Sequence, residues 1–201
     1  MVHARGETAV HSVHTGFAHP ERNVTAFSIE PGMKVADFGA GSGAYTLAIA
    51  ERLSGSGTVY AVDIQKDLLR RIKNEANHRR LHGVEVVWGD LDRPGHSKIA
   101  NHSLDLVLMS NLLFQLHDRD AAFKEARRVL KRTGRLVVID WNESYGGLGP
   151  TREHVCDRTT AIAHARTAGF GLHKEFEAGA HHYGLIFVVP HAERPRKVLV
   201  Q

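Results

Sequence analysis

VADFGAGSGAYTLAIA, running from Val35 to Ala50, passes from a short apolar run through a glycine-rich turn into a second apolar run with a different period. Val35, Ala36 and Phe38 suit a buried strand, and Leu47, Ala48 and Ile49 suit a helix opening near Ala44. Between them Gly39, Gly41 and Gly43 accept positive φ and let a ligand approach the backbone with no Cβ in the way. Strand, glycine turn and helix in that order are how a Rossmann-like domain receives an adenosine-bearing cofactor. Gly39, Ala40, Gly41 and Gly43 are therefore candidate cofactor-binding positions.

Two cofactor classes compete for this turn. Gly39, Gly41 and Ala44 satisfy a dinucleotide GxGxxA fingerprint, and Asp63 lies 20 residues beyond Gly43, where a ribose-binding acid belongs. Against that reading stands Asp37, at the strand's carboxyl end and beside the helix N-terminus that would receive a pyrophosphate. A carboxylate there repels phosphate and holds an ammonium group. S-adenosylmethionine carries an ammonium and a sulfonium but no phosphate, so charge favours it over NAD.

DFGAGSG, residues 37 to 43, resembles the DxGxGxG motif of the class I S-adenosylmethionine-dependent methyltransferases. TVYAVDIQ (58–65) resembles that family's second strand, VEVVWGDL (84–91) its third and SLDLVLMSNLLFQLHD (103–118) its fourth. A helix from Arg119 to Lys131, a turn at Arg132-Thr133-Gly134 and the strand RLVVIDW resemble the fifth unit, so the likeness covers about residues 17 to 190. It is nearest to small methyltransferases of the quinone-biosynthesis type. The fold it implies is a seven-stranded, mostly parallel sheet with an antiparallel last strand and helices on both faces.

The chain's own patterning agrees with that fold. Apolar strand runs alternate with helical patterns such as Leu68, Leu69, Ile72 and Ala76, or Phe123, Ala126, Val129 and Leu130, which is the signature of parallel βα units. Pro31-Gly32 closes a first helix around Glu21 to Ser28. Near the end, a helix around Arg158 to Ala168 stops at Gly169, and strands around Leu172–Ala178 and His182–Val189 flank a tight turn at Gly179-Ala180, so they must run antiparallel.

Ligands in open α/β sheets bind beyond the carboxyl ends of the strands, and this assigns roles. Asp63 is placed to accept the ribose hydroxyls, and Ile64 to press on the adenine face. The resemblance implies that Asp90, after Trp88 and Gly89, takes the adenine amino group and that Leu91 offers its amide to the ring. Trp88 reads equally as pocket lining or core. Ser110 and Asn111 end the fourth strand beneath the methionine part, where the family often uses backbone carbonyls for the ammonium. SNLLF partly matches the Asn-Pro-Pro-aromatic motif of nucleic-acid amino-methyltransferases, but Leu112 and Leu113 replace both prolines, and that substrate does not carry over.

Methyl transfer from a sulfonium is an in-line displacement, so alignment of the acceptor supplies most of the acceleration and no obligatory catalytic side chain is required. A base is needed only where the acceptor must lose a proton. Asn111, His14 and Tyr183 are the candidates for contact with the acceptor, with His117 as a further possible base. Asp140, Trp141, Asn142 and Glu143 after the fifth strand, Tyr145 with its neighbouring glycines, and His181 and His182 are further loop candidates.

At 201 residues the chain suits one methyltransferase domain spanning 1–201, with an N-terminal cap segment (1–30) and a basic tail (191–201). The balance of 26 basic and 22 acidic side chains is too mild to imply nucleic acid without clustering. One cysteine excludes an internal disulfide and a multi-thiolate zinc site. The 15 histidines show no ligand spacing, so no metal is expected. The N-terminus lacks an apolar secretion core and no run reaches membrane-span length, giving the expectation of a cytoplasmic protein without a membrane partner. The leading reading is a methyltransferase that moves the methyl of S-adenosylmethionine to a small molecule and leaves S-adenosylhomocysteine. RNA or protein acceptors, an NAD-dependent oxidoreductase and a non-catalytic cofactor-binding protein are the alternatives, and the oligomeric state is left open.

Overall fold

The computed structural model describes residues 18–190. Helix α1 (Pro20–Val24) continues into a 3-10 turn (Thr25–Phe27), and strand β1 (Lys34–Phe38) follows. Then come α2 (Ala44–Leu53), β2 (Thr58–Asp63), α3 (Lys66–His78), β3 (Val84–Trp88) and β4 (Leu104–Ser110). A short 3-10 turn (Leu113–Gln115), α4 (Arg119–Val129), β5 (Leu130–Trp141), α5 (Arg158–Thr167), β6 (Gly171–Gly179) and β7 (His182–Val188) complete it.

The strands form one seven-stranded sheet in the order β3-β2-β1-β4-β5-β7-β6, in which β7 alone runs antiparallel to its neighbours. The order reverses between β1 and β4, and such a switch point opens a crevice at the strands' carboxyl ends. The strand period of two sorts side chains onto two cores. Ala36, Phe38, Val107, Met109, Val138 and Leu185 pack on one face with α4 and α5, and Val35, Leu106, Leu108, Val137, Ile139 and Ile186 pack on the other with α1, α2 and α3.

Two local expectations change. No separate turn forms at Arg132-Thr133-Gly134: Leu130 leaves the helix face expected for it, starts β5 opposite Leu104, and pairing resumes only at Leu106 with Arg135, so the intervening residues form a wide bulge within the strand. A Cβ on Gly134 would lie 3.1 Å from the carbonyls of Leu104 and Lys131, which explains the glycine at that crowded step. Trp88 is neither core nor pocket wall. It lies on the edge strand, 41% exposed, donates Nε1–H to the Ile64 carbonyl at 2.9 Å and sits beneath the ammonium groups of Lys66 and Lys98.

Candidate active site

A groove runs along the carboxyl ends of the strands in two joined halves. One half, about 170 Å³, lies over β2 and β3 and is lined by Asp63, Ile64, Gly89, Asp90 and Leu91. The other, about 310 Å³, lies over β1, β4, β5 and β7 and is lined by Asp37, Tyr45, Ser110, Asn111, Trp141 and His182. Gly39, Gly41 and Gln115 border both.

The glycine turn folds over the β1 end because Gly39 and Ala40 donate their amides to the Val62 carbonyl, at 2.8 and 3.1 Å. A Cβ on Gly41, whose φ is +53°, would meet only the Gly39 carbonyl at 3.8 Å and would otherwise stand in the groove. Gly43 does different work from that expected of it: it lines neither half, and at φ +83° it caps α2 against Ile72, whose Cγ1 a Cβ would meet at 2.6 Å.

In the first half the carboxylates are already held. Asp63 accepts the Gly41 amide on Oδ2 and the Gln65 amide on Oδ1, each at 2.8 Å, which ties the glycine turn to the end of β2. Asp90 accepts the Asp92 amide at 3.1 Å and pairs with Arg93 at 3.2 Å. Each carboxylate oxygen has a second lone pair free to accept from a ligand hydroxyl or amino group. Ile64, 56% exposed, lines this half beside them.

In the second half the polar groups are buried and few are paired. Asp37 accepts the Thr46 hydroxyl at 2.7 Å; burial raises its carboxyl from 3.8 to about 6, against the lowering effect of Thr46. Tyr45 accepts Asn23 Nδ2 at 2.9 Å, and the same Asn23 amide donates to the Ala178 carbonyl at 2.8 Å, which fastens α1 to the wall of the cavity. Burial raises the Tyr45 phenol above its ordinary value. Among the described residues, Asn111 Oδ1 and both ring nitrogens of His182 are buried and have no hydrogen-bond partner. An orphaned buried polar atom costs about 1–3 kcal/mol, so folding concentrates that cost along one wall of the groove. Asn111 also carries a left-handed backbone, φ +52°, braced by its amide on the Ile139 carbonyl at 2.8 Å and by Gln115 Nε2 on its own carbonyl at 2.7 Å.

The alternation along β7 separates two residues that the sequence grouped together. His182, opposite Trp141 on β5, faces the cavity with its ring centroid 4.3 Å from that of Trp141. Tyr183, opposite Asp140, points to the other face, where its hydroxyl donates to the Cys156 carbonyl at 2.8 Å and burial drives its pKa far upward. Its hydroxyl is therefore a core strut and is turned away from the groove. Asp140 likewise faces inward: it accepts the amides of Leu113 at 2.9 Å and Trp141 at 2.8 Å, and so pins the turn after β4 to the end of β5. Burial raises its carboxyl to about 6 despite those amides. Tyr145 stacks on His181 at 3.8 Å, and Gly149 lies so close to Trp141 that a Cβ would come within 2.6 Å of its ring. His117 is exposed and borders neither half. His14 lies outside the described residues.

A sulfonium-bearing adenosine cofactor fits this groove. The acids over β2 and β3 offer the acceptors that a sugar and a base require, the buried carboxylate on β1 offers the charge that an ammonium requires, and Gly41 leaves the groove open beside the backbone. A methyltransferase-domain family model matches residues 29–184. The chain belongs to the class I S-adenosylmethionine-dependent methyltransferases. The dinucleotide alternative falls with that membership, and the negative charge of Asp37 is the physical reason.

The methyltransferase is 31% identical over 121 residues to the ubiquinone/menaquinone biosynthesis C-methyltransferase UbiE of Xanthomonas oryzae pv. oryzae, which covers 60% of this chain and 47% of that protein. It is 26% identical to a demethylmenaquinone methyltransferase of Geobacillus sp., covering 61% of this chain and 51% of that one. The chain spans about half the length of these curated relatives. Among solved structures, a S-adenosylmethionine-dependent methyltransferase from Aquifex aeolicus shares the fold with a TM-score of 0.78 at 24% identity, covering 87% of this chain and 91% of that one. Among the described residues no helix is long and apolar enough to cross a membrane.

Sequence reasoning missed Tyr45, Gln115 and Thr46, and gave His182 no precedence over Tyr183. Tyr45 reads as one more apolar-face residue of a helix, and only the packing of α1 and β6 against α2 turns its hydroxyl to the groove.

Proposed function

We propose that this methyltransferase acts on a small-molecule acceptor bound over β4, β5 and β7, with the cofactor's adenosine over β2 and β3 and its amino acid part beside Asp37. The observation that carries this reading is the size and lining of the second half of the groove: about 310 Å³, bordered by the rings of Tyr45, Trp141 and His182. That is the scale and character of a small-ligand site. The names of the curated relatives, which act in ubiquinone and menaquinone biosynthesis, support the same acceptor class.

Bound in the groove, the cofactor supplies an electrophilic methyl group on a sulfonium. The chain's residues then have four tasks. Asp63 and Asp90 fix the adenosine, and Asp37, kept as a carboxylate by the ammonium beside it, fixes the other end. Gly41 allows the ligand to lie against the backbone. Asp140 sets the turn after β4, and through it Asn111, in one position. Trp141, Tyr45 and His182 exclude water and hold the acceptor, so that alignment does most of the work. Incubation with methyl-labelled S-adenosylmethionine and fractionated cell extract should place the label in the small-molecule fraction. Label confined to RNA or protein would overturn the proposal.

A further inference from the structure

Along the groove, His182 stands apart. The residue is 3% exposed, it borders the cavity, and among the described residues neither ring nitrogen has a hydrogen-bond partner. Packing on Trp141 would be served equally by phenylalanine, which has no polar atoms to orphan. A buried ring with two unpaired nitrogens is instead matched to a ligand that brings its own polar group.

The chemistry of that group follows from the ring. Burial, with His181 alongside, lowers the imidazole to about 4, so near neutral pH it is uncharged and offers one N–H donor and one bare acceptor nitrogen. A hydroxyl, which donates and accepts, answers either face of that ring. A carboxylate or phosphate would find the neutral ring a poor counter-charge. An ammonium would find no anion at the His182 end among the residues lining this cavity.

The walls fix the rest. His182 and Trp141 are cross-strand partners, and Gly149 supports the Trp141 ring so closely that the indole is held in place. Tyr45 faces the same space from α2. β7 lies three strands from β1, about 14 Å at the usual strand spacing, so His182 is beyond reach of the groups that hold the ribose and adenine. Between the two lie Ser110 at the end of β4 and Asn111 just after it.

We propose that His182, seated on Trp141, is the hydrogen-bonding anchor for a hydroxyl of the methyl acceptor. This subsite rests on the small-molecule reading given above. It makes His182 a residue that binds and orients the acceptor, with no claim on its protonation during transfer.

The test uses the full chain saturated with S-adenosylhomocysteine and two matched compounds, 2-naphthol and 2-methoxynaphthalene. With 15N-labelled histidine, 2-naphthol should shift the His182 ring resonances, which are assigned by their loss in His182→Phe, and should bind at least tenfold more tightly than the methyl ether. His182→Phe, which keeps a ring on Trp141, should abolish that tenfold preference, and His182→Gln should restore part of it. Affinity of both variants for S-adenosylhomocysteine in calorimetry should stay within twofold of wild type. Equal binding of the two naphthalenes, unmoved His182 resonances, or a preference that survives in His182→Phe would each overturn the hydroxyl anchor while leaving a small-molecule enzyme in place. A tenfold loss of S-adenosylhomocysteine affinity in His182→Phe would reassign the ring to the cofactor and also overturn it. Failure of either naphthalene to bind, together with extract label in RNA or protein, would bring down the small-molecule reading itself.

Discussion

Over β2 and β3, Asp63 is held by the Gly41 and Gln65 amides and Asp90 by the Asp92 amide and Arg93, whereas over β4 and β7, Asn111 Oδ1 and the His182 nitrogens have no partner among the described residues. The first half of the groove is organised by backbone that lies next to it in sequence. The second is assembled from four strands and carries its polar atoms at a cost. A prebuilt half suits a cofactor common to a whole family, and a half with unmet hydrogen-bonding capacity suits the partner that differs between members.

Substitutions that separate the halves test this contrast. The largest effect is expected from Gly41→Val, whose side chain enters the groove: S-adenosylhomocysteine binding should fall by more than a hundredfold in calorimetry while the circular dichroism spectrum is kept. Normal binding by a folded variant would mean that the ligand does not approach this turn. Asp63→Ala should weaken the same binding by about 1.5–3 kcal/mol, the scale of charge-assisted hydrogen bonds. It should leave the 2-naphthol preference of the saturated protein intact; loss of both would show that the halves are not separable.

The pH dependence sharpens the role of Asp37. Its carboxyl titrates at about 6, above the ordinary 3.8, and only its charged form attracts an ammonium. S-adenosylhomocysteine affinity should therefore be full above pH 6 and fall by up to tenfold per unit as the pH drops below it. Because Asp140 titrates in the same range, Asp37→Asn is the control, and it should flatten the profile. A profile unchanged in that variant would assign the titration elsewhere. The smallest effect is expected from Tyr183→Phe, which leaves the Cys156 carbonyl without its donor: about 1 kcal/mol of stability in urea unfolding, with ligand affinities unchanged. A loss of acceptor binding at wild-type stability would return Tyr183 to the groove.

The glycine turn and the acids at the ends of β1, β2 and β3 were legible because their signals are local. Asp37, the glycine turn, Asp63 and Asp90 each sit at a strand end that apolar patterning reveals, and their charge alone separates an ammonium from a phosphate. Even there, spacing gave three glycines one reason where the packing gives several: Gly41 faces the groove, while Gly43 makes room for Ile72. The wall supplied by β7 was not legible, because adjacent residues on a strand point to opposite faces and the choice between His182 and Tyr183 depends on register. The pairing of Trp141 with His182 sets that register.

The sequence by itself determined the alternation of strands and helices, the antiparallel close of the sheet and the kind of cofactor, because these rest on periodicity, turn chemistry and the sign of a charge at a strand end. The tertiary structure alone decided which residues line the second half of the groove. Tyr45, Asn111, Trp141 and His182 come from α2, the turn after β4, β5 and β7, and only the pairing of strands far apart in the chain brings them to one cavity.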